Sequence, residues 1–165
     1  MHRFRLTRIG RRVLFTSLTA VMMGLIFFFS SQSAEKSDAT SSVISEPIIY
    51  FIYHDYELYP AEKKNEIYNH VQHIVRKTAH FSEYMILAVL MNLCMESWFG
   101  RHRYINPASL SCAVLYACTD EMHQMLTEGR SAVWSDVMID SAGAVLGLML
   151  LHAICRVKNK KEGSK

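Results

Sequence analysis

Histidine and carboxyl side chains occur in this chain in three short groups, spaced so that each falls on one helical face. His80 and Glu83 lie three apart in Arg76-Lys77-Thr78-Ala79-His80-Phe81-Ser82-Glu83-Tyr84, Asp120 and His123 three apart in Asp120-Glu121-Met122-His123-Gln124, and Asp136 and Asp140 four apart. Imidazoles beside carboxylates move protons, with the carboxylate orienting the ring or acting as nucleophile. His80, Glu83, Asp120, His123, Asp136 and Asp140 are therefore the candidate catalytic residues, with His123 the best-suited proton carrier. Arg130, in Thr127-Glu128-Gly129-Arg130-Ser131, can grip a phosphate or carboxylate through its planar fork of donors, with Gly129 permitting a tight turn. Its alternative is a structural pair with Glu128 or Asp136. Arg76, Lys77, Glu121 and Gln124 complete the candidate substrate-binding set.

The same spacings admit a second chemistry, because His80-x-x-Glu83 and Asp120-x-x-His123 each put two metal ligands on one face and Asp136 or Asp140 could complete a divalent site. That spacing is common by chance, so no metal ligand is assigned, and no cofactor can be named. The plain alternative is that Lys77, Asp120, Glu121 and Asp136 end their helices at a membrane boundary, where charge costs little.

The elements that carry these residues are apolar. Val13 to Phe29 is seventeen residues without a charge, just long enough to span a bilayer. Tyr84 to Met95, Asn106 to Thr119 and Ser141 to Cys155 contain no carboxylate, but at 1.5 Å per residue the longest reaches only about 22 Å against a hydrocarbon core of about 30 Å. Each can cross only by taking in the polar group at one end. The expected fold is all-α: a polytopic membrane protein of one domain, with four transmembrane helices at about 13–31, 77–98, 105–125 and 136–155. A cleaved signal peptide is the competing reading of the first 34 residues, although the apolar run is long for one.

With four spans, twelve of the eighteen Lys and Arg share one side, and thirteen of the fifteen carboxylates lie on the other or at that end of the spans. The basic side must be the cytoplasm, which puts both termini there and the polar groups toward the outer leaflet of the cell membrane. Membrane lipids are the expected partners and nucleic acid is not, because the basic excess suits anionic inner-leaflet lipid.

The long outer loop, from Gln32 to about Val75, is expected to be irregular from Ser33 to Ser45 and interfacial at Ile48-Ile49-Tyr50-Phe51-Ile52-Tyr53. Pro60 can then open a helix, with Ile67, Val71, Ile74 and Val75 at helical spacing, that runs directly into the second span. Arg76, His80, Glu83 and Leu87 share one stripe, and Asp136, Asp140, Gly143 and Gly147 form a tighter one. Its Gly-x-x-x-Gly lets a neighbouring helix approach closely and turns the acids into the bundle. Cys94, Cys112, Cys118 and Cys155 are read as small buried packing residues, not a disulfide framework or zinc site. His54, His70, His73, His102 and His152 are read as surface or interface residues, and Trp98 and Trp134 as anchors at opposite interfaces.

Taken in order, Phe29-Ser30-Ser31-Gln32-Ser33, the Arg76 to Tyr84 segment, Asp120-Glu121-Met122-His123-Gln124, and Gly129-Arg130-Ser131 followed by Asp136, Asp140, Gly143 and Gly147 resemble the VanZ-like family of bacterial membrane proteins from about Leu14 to Leu151. The chain departs from that pattern at Glu128, where the family usually has Pro. The resemblance implies a four-helix integral membrane fold. It also implies similarity to proteins named for low-level teicoplanin resistance and to families proposed to act on lipid head groups. The expected function is an enzyme, a transferase or hydrolase, acting on the head group of a lipid or a lipid-linked cell-wall precursor. Its rival is a non-catalytic module that binds such head groups or a lipoglycopeptide, and a purely structural interaction protein is third. Four short spans without inverted repeats leave little room for a transporter.

Overall fold

The computed structural model describes residues 7–127 and 133–162. Within them the chain is all helical, with five α-helices: α1 (Arg8–Ser30), α2 (Ala34–Ile52), α3 (Ala61–Phe99), α4 (Ile105–Gln124) and α5 (Trp134–Glu162). Thr7 caps α1 by accepting from the Gly10 N–H, and Ser33 does the same for α2 through Lys36. Pro60 precedes α3, where its missing N–H costs nothing. Gly100, at φ 81°, ends α3 with its N–H on the Glu96 carbonyl.

The thirty-nine residues of α3 span about 58 Å, far more than a hydrocarbon core. Only its second half fits within a bilayer. The first half packs against α2 through Ile49, Ile67 and Val71, with Gln72 donating to the Asp38 carbonyl. The expected irregular stretch from Ser33 to Ser45 is instead the first part of α2. Its hydroxyls return to the helix backbone, Thr40 to the Lys36 carbonyl, Ser41 to that of Ser37 and Ser42 to that of Ala39, so the polarity of this segment is absorbed by helical hydrogen bonds.

The second half of α3 meets α1, α4 and α5 around Ile26, Tyr84, Leu87, Ala88, Met91, Ala113, Ala117 and Ala144. Alanines and glycines at the crossings let helices approach where lipid supplies no hydrophobic drive. A Cβ added to Gly143 would overlap the Phe81 carbonyl oxygen, and one added to Gly147 that of Met85. These two contacts advance together along α3 and α5, so the helices run parallel with bare backbone between them. The Gly-x-x-x-Gly expectation holds in detail.

Helices α1, α3 and α5 are long and apolar enough to cross a membrane. The twenty-residue α4 is not among them. The helix ends in a mostly polar run from Thr119 to Gln124, and it buries one stripe, Ile105, Ser109, Ala113, Ala117 and Asp120, against its neighbours. α1 joins the bundle through Ile26 and Ser30, both fully buried. The four cysteines are free, but none is buried and Cys112 is exposed, which corrects the expectation of buried packing. The five singly placed histidines are all exposed. Trp98 and Trp134, also exposed, sit at opposite ends of the parallel pair α3 and α5.

Candidate functional site

The polar site lies where α1 and α4 end, α5 begins and α3 passes through its middle. Asp120 anchors it. Its Oδ2 accepts from Ser30 Oγ at 2.8 Å and from Gln124 Nε2 at 3.3 Å, and Gln124 also reaches Ser30 Oγ at 3.4 Å. Ser30, Asp120 and Gln124 are all buried, so this triangle ties the end of α1 to the end of α4. Asp120 also lies within the electrostatic reach of His80, and the Tyr84 ring points its hydroxyl toward the same carboxyl.

His80 Nδ1 stands 3.9 Å from Glu83 Oε2, one helical turn further along α3. On the α5 side Asp136 pairs with Lys77 and accepts from Ser135 Oγ at 3.2 Å. Asp140, only 3 % exposed, faces Lys77, Asp120, Glu121 and Asp136, and its Oδ1 has no hydrogen-bond partner among the described residues. Lys77, His80, Glu121, Gln124, Asp136 and Asp140 enclose a cleft of about 10 Å³, room for about one water molecule. Five carboxyl groups thus converge on one lysine and one histidine, in a place where a charge is costly.

A larger groove of about 190 Å³ opens beside this cluster, between the end of α1, α2 and α3. His80 and Glu83 line it together with apolar Phe29, Ile44, Val75 and Ala79, and Arg76 stands at its edge. On the opposite flank a pocket of about 250 Å³ is walled by Met122, Met125, Trp134 and Val137 and contains Glu121. Glu121 Oε1 accepts from the Val133 N–H at 2.6 Å, bracing the start of α5.

The expected residues divide into four sets. His80, Glu83, Asp120, Asp140, Asp136, Lys77, Glu121 and Gln124 come together. Arg76 stands at the groove but is paired with Asp38 of α2 at 3.1 Å. His123 turns away: its ring stacks on Phe27 with centroids 4.7 Å apart, and its Nε2 lies 3.1 Å from Ser31 Oγ. Arg130, with Glu128, Gly129 and Ser131, lies outside the described residues. Among those described, no three His, Cys, Asp or Glu side chains form a group that could hold a metal ion; the two candidate ligand pairs do not meet, since His123 faces α1. Two residues of the site were not singled out from spacing: Ser30, legible only as part of the serine-rich end of α1, and Asp38, which carried no signal because its partner lies 38 positions away.

The sequence elements that converge here are the ones that a family model detects. The VanZ/LLP1 family model matches residues 15–156, which takes in most of each helix that builds the site. No curated protein and no solved structure matches the chain. With three helices able to cross a membrane and a match over most of its length, the chain is a membrane protein and belongs to the VanZ/LLP1 family.

Proposed function

We propose that the chain crosses the membrane four times with both termini in the cytoplasm, and that the carboxyl cluster acts at the outer leaflet on the head group of a lipid or lipid-linked cell-envelope precursor. One observation carries this reading: His80 and Glu83 line a mostly apolar groove that opens beside the carboxyl cluster. An amphiphile entering sideways from lipid would lay its chain against Phe29, Ile44 and Val75 and bring its head group to His80. His80 would take the proton of an attacking hydroxyl or water and return it to the head-group oxygen that leaves as its ester bond breaks, with Glu83 and Asp120 orienting and stabilising the imidazole. Arg76 retains donors beyond the one on Asp38, and with Lys77 and Arg130 it would hold phosphate.

Comparison of membrane lipids and cell-wall precursors by mass spectrometry, in cells with the protein, without it and with His80→Ala, tests the activity. A product that requires His80 supports an enzyme, and identical profiles in all three refute one. Cysteines introduced at Ala39 and Asn159, both on exposed helical positions, test the placement: an impermeant thiol reagent outside the cell should label the first and not the second.

A second reading, a head-group binding module without turnover, is favoured by the position of His123. With that ring packed on Phe27, one imidazole is left to serve as both acid and base. Retention of a defined lipid without chemical change would support this reading over the enzyme.

A further inference from the structure

At the other end of the bundle, α1 begins where α3 stops, and a pocket of about 440 Å³ opens between them. Arg8, Arg11 and Arg12 line one wall, and Glu96, Trp98 and Phe99 the other. Arg12 is already committed. It donates through Nε to the Ser97 carbonyl at 3.1 Å and through Nη2 to that of Trp98 at 3.4 Å, satisfying acceptors left over at the end of α3. Its guanidinium also lies 4.9 Å from the Trp98 ring centre. Glu96 is neutralised by Arg101 at 3.4 Å. Arg8 and Arg11 form no ion pair among the described residues.

The pocket therefore presents two uncommitted guanidinium groups over a floor made rigid by Arg12 and Trp98. Arg8 is the first residue of α1, and the Thr7 cap occupies only the Gly10 N–H, leaving earlier N–H groups of that turn open to an acceptor. Phe99, which lines the pocket, is exposed, as are Ile9 and Val13 on the adjoining face of α1. A group that suits all of this is anionic, rich in oxygen and attached to hydrocarbon.

We infer that this pocket binds the phosphate group of an anionic phospholipid, with Arg8 and Arg11 as the ligating side chains and Ile9, Val13 and Phe99 against the acyl chains. The site is independent of the carboxyl cluster and of the function proposed for it. Pockets of this kind at the ends of spanning helices recognise head groups by charge and donor geometry.

The test is purification of the full chain from phosphatidylcholine vesicles with and without phosphatidylglycerol, with retained lipid counted by native mass spectrometry. Phosphatidylglycerol should be retained over phosphatidylcholine, and Arg8→Gln with Arg11→Gln should cut that retention about tenfold, a loss of about 1.4 kcal/mol. Lys158→Gln with Lys160→Gln removes the same charge from exposed positions of α5 and should leave retention unchanged. An equal loss in both variants would reduce the pocket to a general basic surface and overturn the assignment. Displacement of the lipid by an equal concentration of inorganic phosphate would assign the pocket to the free ion and overturn it too. Should the glutamine variant fail to insert, Arg8→Lys with Arg11→Lys keeps the charge but loses the planar fork. Retention should then fall several-fold, and unchanged retention would exclude guanidinium recognition.

Discussion

Two buried polar networks join the helices of this bundle, and they differ in charge. Near the turn from α3 to α4, the Asn92 amide donates to Asn106 Oδ1 at 2.8 Å and to Ser109 Oγ at 3.0 Å, a neutral contact between adjacent helices. At the other end, Asp120, held by Ser30 and Gln124, lies beside Asp140, Glu83 and His80. Among the described residues, each network leaves a side-chain oxygen without a hydrogen-bond partner, Asn92 Oδ1 in one and Asp140 Oδ1 in the other. For a neutral amide that shortfall is modest; for gathered carboxyl groups in a low-dielectric site it is several times larger. Asn and Ser suffice to join two helices at one end; the function proposed above assigns a task to the costlier carboxyl groups at the other.

The largest effect should come from the backbone seam between α3 and α5, which carries Asp136 and Asp140 to the charged network. Gly147→Leu would drive a side chain into the Met85 carbonyl. Overpacking of this kind costs about 1–3 kcal/mol or more, and here the obstacle is backbone, so the folded, membrane-integrated yield should fall severely. Gly24 of α1 has nothing within 4 Å of an added Cβ, and Gly24→Leu should accumulate normally. Equal accumulation of both variants, measured as monodisperse protein after extraction, would mean that α3 and α5 do not meet along this line.

The comparison itself is broken or upheld by substitutions in the two networks. His80→Ala and Asp140→Asn should lower turnover about 100-fold or more while the protein stays folded. Asn92→Ala should do the reverse, lowering stability by about 1–3 kcal/mol and leaving turnover per folded molecule intact. If the carboxyl-site variants instead lose folding and keep specific activity, the two networks are alike and the enzyme reading fails.

What could be read from the sequence follows the reach of the signals. The length of α3, its start after Pro60, and the Gly143 and Gly147 seam were legible because caps and helical periodicity act within a few residues. α2 was not, because a serine-rich segment reads as loop until Asp38 finds Arg76 and its carbonyl finds Gln72. The clustering of Asp120 with Asp140 followed from the tight stripe on α5. His123 stands apart from Asp120 because residues three apart on a helix differ by about 60°, enough here to put Asp120 between α1 and α3 and the imidazole on Phe27.

Ion pairs allow a finer version of the same contrast. Lys77 and Asp136 are each about one-fifth exposed, and Lys77 faces the other carboxyl groups as well. Lys77→Ala should therefore cost about 2 kcal/mol, between the values for exposed and buried pairs, and Asp136→Asn in the same chain should restore part of it. A double variant no better than the single one would show that Lys77 packs there without compensating charge.

The smallest effect belongs to the exposed counterpart, Lys64 with Glu57 at 2.8 Å. Glu57 also accepts from Tyr50 at 2.7 Å, which links α2 to the start of α3. The hydrogen bond from Lys64, and then that from Tyr50, hold the Glu57 carboxyl below the usual carboxylate range. Because the folded value is depressed, its contribution is present at neutral pH and is lost as the pH falls through that folded value. Both the Lys64 and Tyr50 contacts are open to water, so salt screens them and global unfolding should not respond. Local opening should: hydrogen exchange at the backbone amides of Tyr56 and Leu58 is expected to quicken on acidification, relative to its intrinsic rate, and Lys64→Ala should remove most of that pH dependence. An unchanged dependence in the variant would mean that the turn after α2 is held by the Tyr50 and Tyr56 rings, which meet edge to face at 5.6 Å, and not by charge.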